Sequence, residues 1–487
     1  MSLKWLGAVV ALAMTANAES LSDAVKEIRL ANGMVWLVVE RHDAPVFTGY
    51  VRVRVGGADE HPGITGLAHL FEHMAFKGTP RLGAKDWSAE QALLPEIERV
   101  GDALAKLRRA GKHETLEGKQ LASQLAELQK KHGALFDENA LARLYQVNGG
   151  VGLNATTDKD VTSYFVSLPK NRLELWLQIE AQRFAAPVLR DFYTERSVVQ
   201  EERLRSIETN PGGAMYEELM QLAFVTSPYR WPTVGYQGDL AAMTLADAHA
   251  FFDQHYVASN AVGCLVGDLD VNEVKPLLEK TFGALPTKPR PEAPIFSEPP
   301  VRAQRRGTVT FDAQPRLMIA FRKPAPPSRE DAVFDVLRVV LADGNTSRLQ
   351  QRLVLKDRLV QGVGVFTGPG GRLDNLFIIS VTPMAGVKTE TIEAAIFDEL
   401  GKLASEPVQQ SELDRVRRRI STNLYRAVLA NAGAASAFSR AQTLFGDWRY
   451  VIELPKVIDS IEAAEVQATA KKAFVKENSV IVTLVKP

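Results

Sequence analysis

The chain contains little cysteine and no excess of either charge. Its single cysteine among 487 residues, Cys264, rules out an intramolecular disulfide, so stability must come from apolar cores. Lysine plus arginine and aspartate plus glutamate number 58 each, which gives no electrostatic reason to expect a nucleic-acid partner. No P-loop or well-placed GxGxxG motif indicates nucleotide binding. Only eight histidines are present, and because none follows His255, the last part of the chain cannot supply histidine ligands.

Long apolar runs are also absent, apart from a short one near the N-terminus. Lys4 precedes an apolar stretch over residues 5–14, and a small-residue Ala-x-Ala site follows at residues 16–18. This order is typical of a cleaved secretory signal, and the stretch is too short to span a bilayer. An N-terminal anchor or a short buried helix is the alternative. We predict a signal peptide over residues 1–18, a mature chain that begins near Glu19 without transmembrane segments, and a location in the periplasm or outside the cell.

A weak internal repeat indicates two related domains. Residues 246–268 and residues 464–486 both show a helical pattern, an aromatic residue followed by valine, a polar turn with asparagine, and an apolar strand. A chain of 487 residues is also too long for one ordinary core. Because strand and helix patterns do not alternate regularly, we predict the α+β class. A proline-dense linker at residues 286–303 separates the predicted N-terminal domain, residues 19–285, from a related C-terminal domain, residues 304–487.

The first of these domains is longer because of a helical insertion at about residues 84–145. Residues 88–109 and 114–131 are rich in alanine, leucine, glutamate, lysine and glutamine, with apolar residues at helical spacing and Gly111 between them. We predict a helical hairpin whose charged residues form a solvated face. A surface excursion, a gate and a partner contact are three alternative roles for it.

The residues that indicate chemistry form an inverted zinc-binding motif, His69-Leu70-Phe71-Glu72-His73. In a helix, His69 and His73 share one face, and two imidazoles so placed can bind one zinc ion. Glu72 lies near the same face, where it can hold the attacking water and transfer its proton as a general base. The alternative is a buried helix in which the two histidines only satisfy hydrogen bonds.

A catalytic zinc ion needs a third protein ligand and keeps a fourth position open for water. Glu195 and Glu202 stand seven residues apart, close to two helical turns, so both side chains point the same way. One carboxylate can reach the metal while the other orients a ligand or the general base. A solvated, glutamate-rich helix face is the alternative for this pair.

These segments together resemble a known family. The sequence GLAHLFEHMAFKGT at residues 66–79 resembles the signature of the pitrilysin and insulinase metallopeptidases, the inverzincins, which include the mitochondrial processing peptidases. The resemblance continues in NGGVGLNATT at residues 148–157, in DVTSY at residues 160–164 and in the segment from Glu195 to Glu202. It implies two related metallopeptidase domains of the mitochondrial-processing-peptidase type, which form half of a clamshell, the second without a metal site.

The resemblance implies a role for each residue that matches the metal-site motifs. His69, His73 and Glu202 match the zinc ligands, and Glu72 matches the general base. Glu195 matches the supporting carboxylate that stands seven residues before the last ligand.

Two further residues match a substrate-binding edge. Asn154 and Ala155 match the edge strand to which extended peptide is added, and an open sheet edge can hold a substrate backbone beside the metal. Glu201 is the rival of Glu202 for the role of third ligand. The seven-residue register from Glu195 favours Glu202.

The C-terminal domain departs from the family pattern. Members of the family often carry an arginine and a tyrosine seven residues apart after a Ser-Arg-Leu segment, which is present here at residues 347–349. The matching positions hold Val354 and Gln361, although Arg352 and Arg358 stand nearby and can partly substitute. The resemblance therefore implies a partner in a heterodimer, namely a related subunit that lacks zinc but carries the arginine–tyrosine pair.

On these grounds we predict a Zn2+-dependent endopeptidase that hydrolyses peptides or unfolded polypeptide segments, because a closed clamshell would exclude folded proteins. The nucleophile is a water molecule that Glu72 activates at the metal. A noncatalytic peptide-binding or assembly subunit of a related complex is the alternative. Such subunits usually lose the motif, whereas here it is intact.

Overall fold

The computed structural model of the protein describes residues 23–292 and 296–487. The signal peptide predicted over residues 1–18 lies outside this part of the chain. Within it, no helix combines the length and the apolar character that crossing a membrane requires. Two mixed β-sheets, each with apolar clusters on both faces, form the framework.

The first sheet is built from the N-terminal half. Its strands are β1 (Val25–Arg29), β2 (Val35–Glu40), β3 (Val46–Val53), β4 (Val151–Thr157), β5 (Thr162–Pro169) and β6 (Ala261–Gly267). Their order is β1-β2-β6-β3-β5-β4, in which only β2 and β6 are parallel neighbours. Strand β6 is buried along its whole length because it lies between two apolar layers, with Leu265 in one and Cys264 and Val266 in the other.

The second sheet is built from the C-terminal half. Its strands are β7 (Arg305–Thr310), β8 (Arg316–Lys323), β9 (Val360–Gly368), β10 (Asn375–Pro383) and β11 (Val480–Val485). Their order is β7-β11-β8-β10-β9, with β7 and β11 parallel. Apart from β1, the first sheet has the same topology. In each sheet the last strand along the chain, β6 or β11, pairs in parallel with the first, β2 or β7. The third strand, β4 or β9, lies at the edge. This correspondence confirms the predicted α+β class with two related domains.

Helices cover both sheets. In the described part of the N-terminal half they are α1 (Leu67–Met74), α2 (Trp87–Arg109), α3 (Leu116–Gly133), α4 (Ala140–Val147), α5 (Leu173–Ala185), α6 (Phe192–Arg203), α7 (Pro211–Ala223), α8 (Gln237–Ala242), α9 (Leu245–His255) and α10 (Val271–Lys280). In the C-terminal half they are α11 (Arg329–Ala342), α12 (Thr389–Ser405), α13 (Gln410–Leu429), α14 (Asn431–Phe445), α15 (Tyr450–Asp459) and α16 (Ala463–Ala473).

Each half contributes one helix to the sheet of the other. Leu219 of helix α7 belongs to one apolar cluster with Ile378 of the second sheet. Phe438 of helix α14 belongs to another cluster with Leu37 of the first sheet. Two apolar clusters therefore contain residues from both sides of the linker predicted at residues 286–303. The domain boundaries stay predictions made from the sequence.

The region predicted as an insertion contains helices α2, α3 and α4. The side chains of Asp86 and Thr115 cap the first two by accepting backbone N–H bonds. Ile97, Val100 and Leu104 on helix α2 are buried in the same cluster as the first sheet. One face of the hairpin is therefore part of the core, while most of its charged residues, with the exception of the buried Glu90, face solvent.

Candidate metal centre

Helix α1 carries the HxxEH motif on its polar face. Its large apolar side chains are buried in the first core: Leu67, Leu70, Phe71 and Met74. His69, Glu72 and His73 are only half-buried, because the helical period places them together on the opposite side. The local sequence therefore both anchors the helix and presents these three polar groups together.

The start of helix α1 is held by a tight backbone turn and a buried carboxylate. Gly66 has a φ of 92°, and a Cβ there would lie 2.5 Å from the carbonyl oxygen of Val234, so the position requires glycine. Glu60 accepts hydrogen bonds from the backbone N–H groups of Gly66 and Ala68, both at 2.8 Å. These bonds satisfy donors that the first helical turn leaves free.

The two imidazoles of helix α1 converge with one carboxylate of helix α6. Nε2 of His69 lies 3.5 Å from Oε2 of Glu202, and Nε2 of His73 lies 3.8 Å from the same oxygen. One potential ligand atom from each of the three residues lies within 4.8 Å of the others. Two histidines and one glutamate are a donor set that catalytic zinc uses, with a further coordination position left open. The chemistry and spacing of these residues therefore fit a zinc ion.

The environment sets the protonation of the two histidines. Burial, and then the charge of His73, lower the pKa of His69 to about 4, so His69 is the neutral imidazole that a metal requires. Burial also lowers the pKa of His73, but the hydrogen bond to Glu195 and the charge of Glu202 outweigh it and leave this pKa above its usual value.

Glu195 lies behind the metal-facing atoms rather than among them. Its Oε2 is 3.3 Å from Nδ1 of His73, and its Oε1 is 2.6 Å from Nζ of Lys77. Burial raises the pKa of Glu195, but the bonds from His73 and Lys77 outweigh this effect and lower it below its usual value. The ionised carboxylate holds the ring so that Nε2 of His73 faces Glu202.

Glu72 faces the end of strand β4. Burial raises its pKa, and hydrogen bonds from the hydroxyl and the backbone N–H of Thr157 oppose that rise only in part. A carboxylate with a raised pKa is better matched to accepting and returning a proton near neutral pH. Thr157 thus keeps the pKa of Glu72 lower than burial alone would make it.

The two candidates for the third ligand, Glu201 and Glu202, occupy different positions on helix α6. Glu202 is half-buried and belongs to the three-residue cluster, whereas Glu201 is exposed and does not. The helix is held in this rotation by Arg196, which donates to the carbonyl of Met243 at 2.7 Å, and by Val199, which is buried in the core.

Strand β4 is an edge strand of the first sheet, and helix α1 packs beside it. The side chain of Asn154 is exposed, and its Oδ1 accepts a bond from the N–H of Ala155 at 2.9 Å. Ala155 is buried. The outer side of β4 has no neighbouring strand among the described residues, so its backbone is open to an extended chain next to the metal centre.

Three residues that contact this centre or its helix, and Arg190 before helix α6, had no role assigned from the sequence: Glu60, Lys77 and Thr157 are the three. Lys77 and Thr157 lie inside the motif segments, but those segments do not indicate what either side chain does. Arg190 lies outside those segments, and its contacts come from segments far away in the chain.

The chain matches two family models. The model described as "Insulinase (Peptidase family M16)" matches residues 37–106 and 121–235, and the one described as "Peptidase M16 inactive domain" matches residues 242–420. The first match contains all five residues of the candidate centre: His69, Glu72, His73, Glu195 and Glu202.

Relatives agree with these matches. A Helicobacter pylori protein named "Zinc protease PqqE" is 27% identical over 430 residues, which cover 84% of this chain and 81% of the relative. The crystal structure of a protease from Helicobacter pylori has a TM-score of 0.78 at 23% identity and covers 95% of this chain and 99% of its own. The periplasmic protease PqqL from Escherichia coli has a TM-score of 0.70 at 17% identity, and the match covers 95% of this chain but 47% of PqqL. The chain therefore belongs to the insulinase family of peptidases, family M16.

Proposed function

We propose that the protein is a zinc-dependent endopeptidase that hydrolyses peptides or unfolded polypeptide segments. The observation that carries this proposal is the convergence of His69, His73 and Glu202, whose potential ligand atoms lie within 4.8 Å of one another. The name of the Helicobacter relative, a zinc protease, supports it.

The residues divide the reaction between them. His69, His73 and Glu202 would hold zinc, which when bound supplies a Lewis acid that polarises the peptide carbonyl. Glu72 takes the proton of the attacking water on its carboxylate and returns it to the leaving amide nitrogen. Glu195 keeps the ring of His73 oriented throughout.

The edge strand indicates how substrate is held. The open side of β4 at Asn154 and Ala155 can accept backbone hydrogen bonds from a peptide in extended conformation. Only a chain without its own folded structure can add to a sheet edge in this way, which is why we propose peptides or unfolded segments as substrates.

We further propose that the active form is a heterodimer with a related subunit that lacks zinc and carries the arginine–tyrosine pair. The match to 47% of PqqL supports a two-part arrangement, because this chain corresponds in fold to half of that protein. Val354 and Gln361 occupy the pair positions here. Of the two nearby arginines, Arg352 is paired with Asp398 and Glu399.

Light scattering on material purified from the native source tests the partner. A species of about twice the mass of the chain that contains a second, related polypeptide is expected. A stable monomer with full activity would contradict the heterodimer.

We also propose a periplasmic or secreted location, supported by the N-terminal signal pattern and by the periplasmic location stated for PqqL. N-terminal sequencing of the protein recovered from a periplasmic extract is expected to begin near Glu19. Recovery of a chain that still begins at Met1 from the cytoplasmic fraction would contradict this location.

Cleavage of a quenched fluorescent peptide library tests the activity, with zinc content measured on the same samples. The wild-type protein is expected to cleave, and Glu72→Gln is expected to bind zinc but lose cleavage by about 10²-fold or more. If neither protein cleaves while both bind zinc, the related subunit is added. Continued absence of cleavage would favour the alternative function, a noncatalytic peptide-binding subunit.

A further inference from the structure

The helical insertion meets the metal centre through a buried arginine. Arg190 lies between helices α5 and α6, and its side chain is fully buried. Its Nε and Nη2 lie 2.6 Å and 3.0 Å from the two carboxylate oxygens of Glu90, which is also fully buried in the first turn of helix α2. Nε2 of His132, on helix α3, lies 3.2 Å from the same carboxylate. We refer to Glu90, His132 and Arg190 as the clasp.

The clasp holds the loop that follows helix α1. Nη1 of Arg190 donates to the carbonyl oxygens of Lys77 at 2.6 Å and Leu82 at 3.2 Å, and Nη2 donates to that of Thr79 at 2.9 Å. One guanidinium thus satisfies three backbone acceptors of a single loop while its remaining donors are held by Glu90. The planar group is rigid, so it fixes the path of the loop as well as neutralising the buried carboxylate.

This loop carries the lysine that supports the metal centre. Nζ of Lys77 is 2.6 Å from Oε1 of Glu195, and the other oxygen of Glu195 is 3.3 Å from Nδ1 of His73. The side chains of Lys77 and Glu195 are only 12% and 14% exposed, so water competes little for these contacts. A continuous series of short contacts therefore runs from the insertion to a proposed zinc ligand.

Close packing also fixes the insertion against helix α6. A Cβ on Gly101 of helix α2 would lie 2.0 Å from the hydroxyl oxygen of Tyr193 on helix α6. Helix α2 thus approaches the helix that carries Glu195 and Glu202 as closely as a glycine permits. A surface excursion needs neither this approach nor a buried ion pair.

We propose that the insertion is a positioning element of the metal centre: Glu90 and His132 hold Arg190, which fixes the backbone at Lys77. Lys77 in turn keeps Glu195 oriented on His73. This inference rests on the zinc site of the proposed function but not on the peptidase activity. Glu90, Arg190 and Lys77 are positioning residues, since none of them reaches the cluster of ligand atoms.

The experiment measures zinc affinity rather than cleavage. The full-length chain is stripped of metal, its zinc dissociation constant is measured by competition with a chromophoric chelator, and the unfolding temperature of the metal-free form is recorded. Lys77→Met removes the ammonium and leaves the clasp intact, and zinc affinity is expected to fall about 10- to 100-fold, the usual effect of losing a residue that supports a metal ligand. Lys77→Arg is expected to restore most of this loss.

The second arm of the experiment starts at the insertion. Glu90→Gln removes the charge of the clasp and is expected to weaken zinc binding by a similar factor, although it also lowers the unfolding temperature because Arg190 loses its counter-charge. Glu90→Asp keeps the charge but moves it, so it remains informative if the first variant does not fold. Because the two positions act on one contact series, Glu90→Gln and Lys77→Met together are expected to cost less than the product of their separate effects.

Lys119→Met provides the matched control. Lys119 lies on the same insertion, is exposed, and has its carboxylate partner Glu114 at 3.6 Å, so its loss is expected to leave zinc affinity unchanged. Wild-type affinity in Lys77→Met, or strictly multiplicative effects in the double variant, would overturn the positioning role. Failure of the wild-type chain to bind zinc would instead overturn the proposed metal site itself.

Discussion

The guanidinium of Arg372 joins the two halves of the chain by lying against Asp59. Its Nη1 and Nη2 are 3.0 Å and 2.8 Å from the two carboxylate oxygens, and its Nε is 3.1 Å from Asp160. Both carboxylates are buried in the first half, and they share one salt-bridge partner, an arginine from the second half. Asp59 directly precedes Glu60, which caps helix α1, so this junction is adjacent to the start of that helix.

Removing the arginine of this junction is expected to destabilise the whole chain. Arg372→Met removes the salt-bridge partner of two buried carboxylates, and the free energy of unfolding in urea is expected to fall by about 3–5 kcal/mol. Arg99→Met, which breaks an exposed pair with Glu96, is the control and is expected to have little effect. Equal urea midpoints for the two variants would show that the junction does not hold the halves together.

The two adjacent glutamates of helix α6 are expected to behave differently toward zinc. Glu202→Gln removes a proposed ligand. Zinc affinity is therefore expected to fall by more than the roughly 100-fold that follows from losing a residue that only supports a ligand. Glu201→Gln changes an exposed neighbour by the same chemistry and is expected to leave affinity unchanged. Calorimetric titration of zinc into each metal-free variant measures the difference, and a larger loss in Glu201→Gln would reverse the assignment.

The hydroxyl of Thr157 is expected to tune the proposed general base. Because its hydrogen bond lowers the pKa of Glu72, Thr157→Val should raise that pKa and keep the base protonated to a higher pH. The acidic limb of the kcat/KM profile is therefore expected to move upward by about one pH unit, the equivalent of one hydrogen bond to a charged group. Thr156→Val, at the exposed neighbouring position, is the control. An unshifted acidic limb would count against this contact.

A carboxyl group in the second half is expected to make stability depend on pH. Burial, and then the charge of Asp331, raise the pKa of Asp335 from 3.8 to about 6. The carboxyl group of Asp335 therefore binds a proton more tightly in the folded state than in the unfolded state. The stability that this protonation contributes is complete below about pH 4 and is lost as the pH rises through 6.

Asp335→Asn removes this titration. At pH 8 the variant is expected to exceed the wild-type free energy of unfolding by at most about 3 kcal/mol, and at pH 4 the gain should vanish. Urea unfolding at both pH values measures the two differences. The same gain at both values would mean that packing, rather than ionisation, distinguishes the two side chains.

Local periodicity explains which features were predictable. His69 and His73 share a face because they are four residues apart in a helix, and the seven-residue register from Glu195 distinguishes Glu202 from Glu201. Both relationships hold within a single element and need no knowledge of the rest of the chain. The α+β class and the family were predictable for the same reason, since strand and helix patterns and the motifs are properties of short segments.

Contacts between distant segments were not predictable in this way. The sequence placed Arg352 and Arg358 near the missing pair as partial substitutes, but it did not show that Arg352 pairs with acidic residues of helix α12. The sequence also did not show that helices α7 and α14 each pack on the sheet of the opposite half, and the linker at residues 286–303 stays a prediction.

The sequence by itself determined the residue types of the candidate metal centre and their register on two helices, because helical spacing depends only on neighbouring residues. Tertiary structure alone decided that helix α6 faces helix α1, that Lys77 bonds to Glu195, and that Arg190 connects the insertion to the loop between them. Those contacts depend on how the cores pack, and packing brings together groups whose separation along the chain carries no signal.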